Sequence, residues 1–120
     1  METKKYPEFE KAGMPNFGKA WQLLIELPIK GRKLPNSRGF NEILDIDNNG
    51  VRRKSSTGKP SSITIDKFRF AYDELMKNGE VKRAYINEQV QGRCSSCVVS
   101  VLAELPYIEE TANPRGLKLK

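Results

Sequence analysis

The sequence has no histidine and only two cysteines, its aromatic content is 8%, and no apolar run is long enough to cross a bilayer. Without histidine there is no Ser-His or Cys-His pair and no imidazole to serve as general base or metal ligand. Cys94 and Cys97, separated by two residues, do not make the disulfide framework of a small secreted protein. One chain supplies half of a tetrahedral zinc site, so zinc would have to be shared by two chains. A dithiol redox role would need a thioredoxin-like sheet context that the surrounding pattern lacks. The simpler reading makes Cys97 a small buried residue and Cys94 a half-buried one at a helix start. The charged start Met1-Glu2-Thr3-Lys4-Lys5 has no apolar signal-peptide core, so the expectation is a cytoplasmic protein without a membrane partner.

Several short motifs fail on spacing. Asp45, Asp47, Asn49 and Gly50 match the opening of an EF-hand loop, but Ser56 stands where a bidentate Glu is needed and Arg52, Arg53 and Lys54 fill the loop with positive charge. Gly58-Lys59 resembles part of a phosphate-binding loop, yet Pro60 replaces its Ser or Thr and the glycine spacing is wrong. Asp45 with Asp47, or Glu80 beside Lys82, falls on no recognisable nuclease framework. The expectation is a non-enzymatic protein with no catalytic residue, metal site or cofactor.

What is present is positive charge. Lys and Arg number 21 against 15 Asp and Glu, a formal net charge of +6, and this balance fits a polyanionic partner. In chain order, residues 1–15 read as a polar arm with Pro7 and Pro15. A helix follows over 16–27, with Phe17, Ala20, Trp21, Leu24 and Leu27 on one face and Pro28 closing it; Trp21 is the natural core anchor. The Ile29–Arg38 stretch reads as a basic loop. Phe40–Asp47 and Val51–Ser55 read as strands joined at Asn48-Asn49-Gly50, a tight-turn signal with positive φ at both central positions. Ser55–Ser62, rich in Ser, Gly and Pro, reads as a flexible connection. Residues 16–62 thus form an extension ahead of a second unit over 63–120, the whole making one compact α+β domain.

In that second unit Ile65, Phe68, Ala71, Tyr72, Leu75 and Met76 predict a helix over 65–78. Thr64 is its N-cap, Asp66 lies in its first turn and Asn78-Gly79 ends it. A shorter helix spans Lys82–Val90 with Tyr85, Ile86 and Val90 inward, Gln91-Gly92 turns the chain, and a third helix runs from Ser95 or Ser96 to Leu105, stopped by Pro106. Cys94, Cys97, Val98, Val101, Leu102 and Leu105 form its packing face. Ser95, Ser96, Val99 and Ser100, with Arg93 just ahead, form an opposite face almost free of carboxylates. Tyr107–Glu110 and Leu117–Lys120, joined through Asn113-Pro114-Arg115-Gly116, read as a hairpin.

This order of three helices and a C-terminal β-hairpin resembles the winged helix-turn-helix architecture over roughly the last half of the chain. The resemblance implies that the third helix enters a DNA major groove and the hairpin, as the wing, grips flanking phosphates. On that basis the expected nucleic-acid-binding residues are Lys82, Arg83, Arg93, Ser95, Ser96, Ser100, Arg115 and Lys118, with Arg52, Arg53 and Lys54 from the earlier hairpin. Arg93 is the residue expected to reach a guanine edge. The function so implied is a small double-stranded-DNA-binding module, acting as a regulator or as the recognition part of a restriction, recombination or mobile-element system. The alternative is a winged-helix docking module with a protein partner in a nucleoprotein complex, engaged through Val99 or exposed Phe70 and Tyr107. Salt sensitivity separates the two.

Overall fold

The computed structural model describes residues 15–36, 39–56, 58–90 and 94–120. The polar arm up to residue 14, Arg38, and the Gln91-Gly92 turn with Arg93 lie outside these residues. Eleven elements follow in order among the described residues: α1 (Phe17–Glu26), β1 (Lys33–Asn36), β2 (Gly39–Asp47), β3 (Gly50–Ser55), β4 (Pro60–Thr64), α2 (Ile65–Asn78), β5 (Glu80–Lys82), α3 (Arg83–Gln89), α4 (Ser95–Leu102), β6 (Ile108–Thr111) and β7 (Gly116–Leu119).

The strand pairs among the described residues are antiparallel. β1, β2, β3 and β4 form a four-stranded meander, and β5, β7 and β6, in that order, form a three-stranded sheet. The chain is therefore α+β. Three strands differ from the sequence expectation. β1 lies inside the stretch read as a basic loop, β4 begins in the tract read as a flexible connection and runs on to Thr64, and β5 links α2 to α3 and takes in Lys82, expected as the start of the shorter helix. Each is short and buries a single apolar side chain, Leu34, Ile63 or Val81, so period-2 alternation has almost nothing to display. Pro35 and Pro60 are tolerated because β1 and β4 are edge strands.

Helix boundaries follow the local chemistry. Asn16 caps α1, its side chain accepting from the Lys19 amide at 3.0 Å. Gly79 ends α2 in the left-handed conformation at φ 83°, its amide bonding to the Leu75 carbonyl. Thr64 occupies the N-cap position of α2 but makes no side-chain capping bond; its hydroxyl instead accepts from Lys67 Nζ at 3.3 Å. The third expected helix is shorter than its apolar pattern suggests, ending at Leu102 with a turn carrying the chain to Leu105. At the β2–β3 turn positive φ is confined to Gly50, at 137°, rather than shared by both central residues. A Cβ there would lie 2.0 Å from the Ile63 carbonyl oxygen, so the closeness of β4 demands glycine as much as the dihedral does.

One contiguous buried cluster joins both halves of the chain. Trp21 is central to it: its ring stands 5.5 Å from Phe17 and 4.9 Å from Phe68, and its Nε1–H donates to the Asp47 carbonyl at 2.8 Å. Tyr72 closes another side, donating to the Pro15 carbonyl at 2.6 Å and sharing a 2.7 Å bond with the Tyr107 hydroxyl. No described helix is long and apolar enough to cross a membrane.

Candidate nucleic-acid interface

The polar face of α4 does not face solvent. Val99 has no exposed surface, Ser95 and Ser100 are 3% and 5% exposed, and Ser96 is half-buried. The sequence pattern is ambiguous because small polar residues suit both an open face and a close helix–strand contact. β1 crosses this face: Ser100 Oγ donates to the Pro35 carbonyl at 3.3 Å, and Arg32 bonds Glu104 at 2.7 Å just beyond the helix. Laying this face of α4 into a major groove would require stripping away β1. Val99 is equally unavailable to a protein partner, and Cys94, expected half-buried, is 2% exposed.

Arg115 and Arg83, two of the arginines expected at phosphates, are used internally. Arg115 projects from the residue just ahead of β7 across the α4 serines, donating from Nη1 to Ser96 Oγ at 2.6 Å and from Nη2 to Ser100 Oγ at 2.8 Å. Its Nε meets Glu110 Oε2 at 2.5 Å. Arg83 donates to Ser95 Oγ at 3.1 Å, and that hydroxyl donates to Asn87 Oδ1 at 3.3 Å. Lys82 and Lys118 are exposed but flanked by acid: Lys82 Nζ lies 3.7 Å from Glu80 Oε1, and Lys118 sits in register between Glu80 and Glu109. The three-stranded sheet therefore offers a polyanion little excess positive charge.

The β3 basic run splits by strand alternation. Arg52 and Lys54 point outward and are exposed; Arg53 points inward and is half-buried, donating to Asn41 Oδ1 at 2.8 Å and Ser61 Oγ at 3.0 Å. On the outward face the register aligns Lys33, Glu42 and Lys54 in one cross-strand row and Asp45, Arg52 and Ser62 in the next. Lys33 Nζ lies 5.1 Å over the Phe40 ring. Neither Lys33 nor Phe40 is legible in the sequence as a contact residue, because only the strand register puts them beside Lys54.

At the hairpin end of this face a depression of about 350 Å³ is lined by Asp45, Asp47, Asn49, Arg52 and Ser62, among others. Its carboxylates serve the turn itself. Asp47 Oδ1 accepts from the Asn49 amide at 2.8 Å, and Asp45 Oδ1 accepts from the Ile46 amide at 2.9 Å and lies 3.6 Å from Lys30 Nζ. No group of three or more acidic or cysteine side chains among the described residues is placed to hold a metal ion.

Titration is shifted at three described groups. Burial pushes the Cys97 thiol up to about 12 and raises Cys94 above its ordinary value, with Arg53 opposing both shifts. The Thr64 hydroxyl holds the Asp66 carboxyl below its ordinary value. At both cysteines burial thus favours the neutral thiol over the thiolate.

Two groupings of basic side chains result: an outward one on the four-stranded sheet, where Glu42 and Asp45 are interleaved with Lys33, Lys54 and Arg52, and an inward one where Arg53, Arg83 and Arg115 lie close to α4. Comparison with protein-family models, with curated proteins and with solved structures returns no match for this chain.

Proposed function

We propose that the chain binds double-stranded DNA through its phosphates, with the outward face of the four-stranded sheet as the contact surface. The observation that carries this reading is the strand register: it sets Lys33, Arg52 and Lys54 on one open face, interleaved with Glu42 and Asp45, in a chain of net charge +6. Adjacent strands lie about 4.8 Å apart, so Lys33 and Lys54, two strands apart, are spaced on the scale of neighbouring phosphates. Residues 64–120 are read as a winged helix-turn-helix module, supported by the element order from α2 to β7 and by the β5-β7-β6 strand order. Its third helix, α4, then acts as a core element under β1, and binding is weakly selective for sequence because no base-reading side chain is presented from it.

A second reading, docking onto a protein, is favoured by one observation. Tyr85 is 41% exposed, where the sequence pattern has it facing inward, and stacks on Phe70 at 5.9 Å, an aromatic pair suited to a partner's apolar side chain. Tyr107, the other aromatic expected to be exposed, is half-buried against Tyr72.

Mapping amide chemical shifts on adding a random duplex tests the proposal. Perturbations should centre on Lys33, Arg52 and Lys54, leaving Val99 and Val101 unmoved. A footprint around Tyr85, or none, would remove the sheet-face reading.

A further inference from the structure

Among the described residues the two sheets end in four edge strands, β1 and β4 on one and β5 and β6 on the other. An open strand edge is a template for a further strand, and charged side chains are a common guard against it. β1 carries Lys33, β5 carries Glu80 and Lys82, and β6 carries Glu109 and Glu110. β4, Pro60-Ser61-Ser62-Ile63-Thr64, carries no charge, and every side chain in it but Ile63 is exposed. Of these four edges it alone has no charged guard.

The ladder to β3 fixes which backbone groups β4 presents outward. The Ile65 amide donates to the Asn49 carbonyl at 2.9 Å, next to the Gly50↔Thr64 pair. Bonded and non-bonded pairs alternate in an antiparallel ladder, so the bonded pairs are Val51 with Ile63 and Arg53 with Ser61. The Ile63 carbonyl accordingly lies against Gly50. Pro60, Ser62 and Thr64 therefore turn their backbone groups away from β3. Among the described residues no other backbone takes up the Ser62 amide and carbonyl, the Thr64 amide or the Pro60 carbonyl. Pro60 has no N–H to present, and the carbonyl of Thr64, as N-cap, begins the α2 ladder.

We propose that β4 pairs antiparallel with β4 of a second copy of this chain, about a two-fold axis at Ser62. The edge matches itself. The Ser62 amide of each copy donates to the Ser62 carbonyl of the other, and each Thr64 amide donates to the Pro60 carbonyl opposite. The two gaps in the edge coincide: Pro60, which lacks a donor, faces a Thr64 carbonyl already held in a helix. An ordinary extended peptide would instead leave its amide opposite Thr64 and its carbonyl opposite Pro60 unpaired. Charge does not oppose the pairing. Arg52, in register with Ser62, stands three strand spacings from its counterpart, about 14 Å, which exceeds a Debye length at physiological salt. Directly opposed residues share a face, so two four-stranded sheets become one of eight strands with a continuous outward surface. The pairing rests on the edge of β4 and not on the duplex-binding reading.

A strand of five residues a side makes a small contact, so the expected dimer is weak, with a Kd on the order of 0.1 mM. The test is sedimentation equilibrium of the full chain, without nucleic acid, from about 0.02 to 1 mM, with amide hydrogen exchange at both ends of that range. Exchange at Ser62 and Thr64 should slow in the concentrated sample, while Ser61 and Ile63, already bonded to β3, should not change. Ser62→Pro removes an N–H that β3 does not use and should weaken the dimer by about tenfold or more. Should that variant fail to fold, Ser62→Lys carries the test from an exposed position. It sets two ammonium groups opposite each other at the axis and should weaken the dimer similarly, and an equal mixture with Ser62→Glu should restore it. A wild type that stays monomeric up to about 1 mM overturns the pairing, whether or not β4 takes an extended peptide of another chain. A dimer unchanged by Ser62→Lys overturns it as well, since another surface then holds the copies together.

Discussion

Arg115 holds three partners with one guanidinium: Ser96 and Ser100 on α4, and Glu110 on β6. Its planar fork satisfies all three at once, which an ammonium cannot do. Arg115→Ala should therefore destabilise the fold by about 2 kcal/mol, and Arg115→Lys should recover less than half of that. Urea denaturation of the three proteins checks it, and a neutral Arg115→Ala would mean the residue is a free surface cation after all. Cys97 gives a pH prediction. Its thiol is pushed up to about 12 in the folded state, against an ordinary value of 9.0. The unfolded chain therefore releases this proton before the folded one. The stability it contributes is intact below about pH 9 and declines as pH rises toward 12, by at most about 1.4 kcal/mol per pH unit. Cys97→Ala should flatten the alkaline slope of unfolding free energy relative to wild type; an identical slope between about pH 9 and 11 would contradict the assignment. Single side chains are the least legible part of the sequence. Arg53 and Lys54 are neighbours in one basic run, yet strand alternation sends Arg53 inward to Asn41 and Lys54 to solvent.

Elements are more legible where they carry their own signals. α2 can be bounded at both ends because a strong apolar period runs into Asn78-Gly79, and α1 because Asn16 precedes and Pro28 follows its apolar face. β1, β4 and β5 cannot, since each is specified by its partner strand rather than by its own residues. The same cause hides the fate of α4. Its serines look open because nothing in the sequence announces the strand that covers them, and their small size is what lets β1 approach. Glycine substitutions separate local from tertiary specification. Gly79→Ala meets nothing within 4 Å and should cost about 1 kcal/mol for its positive φ alone. Gly50→Ala adds a collision with the Ile63 carbonyl and should cost about 3 kcal/mol or more. Equal melting temperatures for the two variants would show that β4 is not held against the β2–β3 turn.

For the whole molecule, the placement of charge matters more than its sum. The net charge of +6 is plain from the sequence, but the fold divides it. Arg83 and Arg115 stabilise α4, Lys82 and Lys118 are balanced by Glu80 and Glu109, and Arg52, Lys54 and Lys33, three cations interleaved with Glu42 and Asp45, lie on the open sheet. A phosphate-binding surface on the sheet predicts that affinity for DNA depends on these residues and hardly on the buried face of α4. The most direct measurement is duplex binding by fluorescence anisotropy from about 50 to 200 mM salt, with wild type beside the Arg52→Ala/Lys54→Ala double variant. Wild type should bind with a steep salt dependence, and the double variant should bind more weakly, its log–log slope shallower by about 1.8 for two lost phosphate contacts. No binding by the wild type at the lowest salt, or equal slopes for the two proteins, would show that the sheet face does not hold DNA.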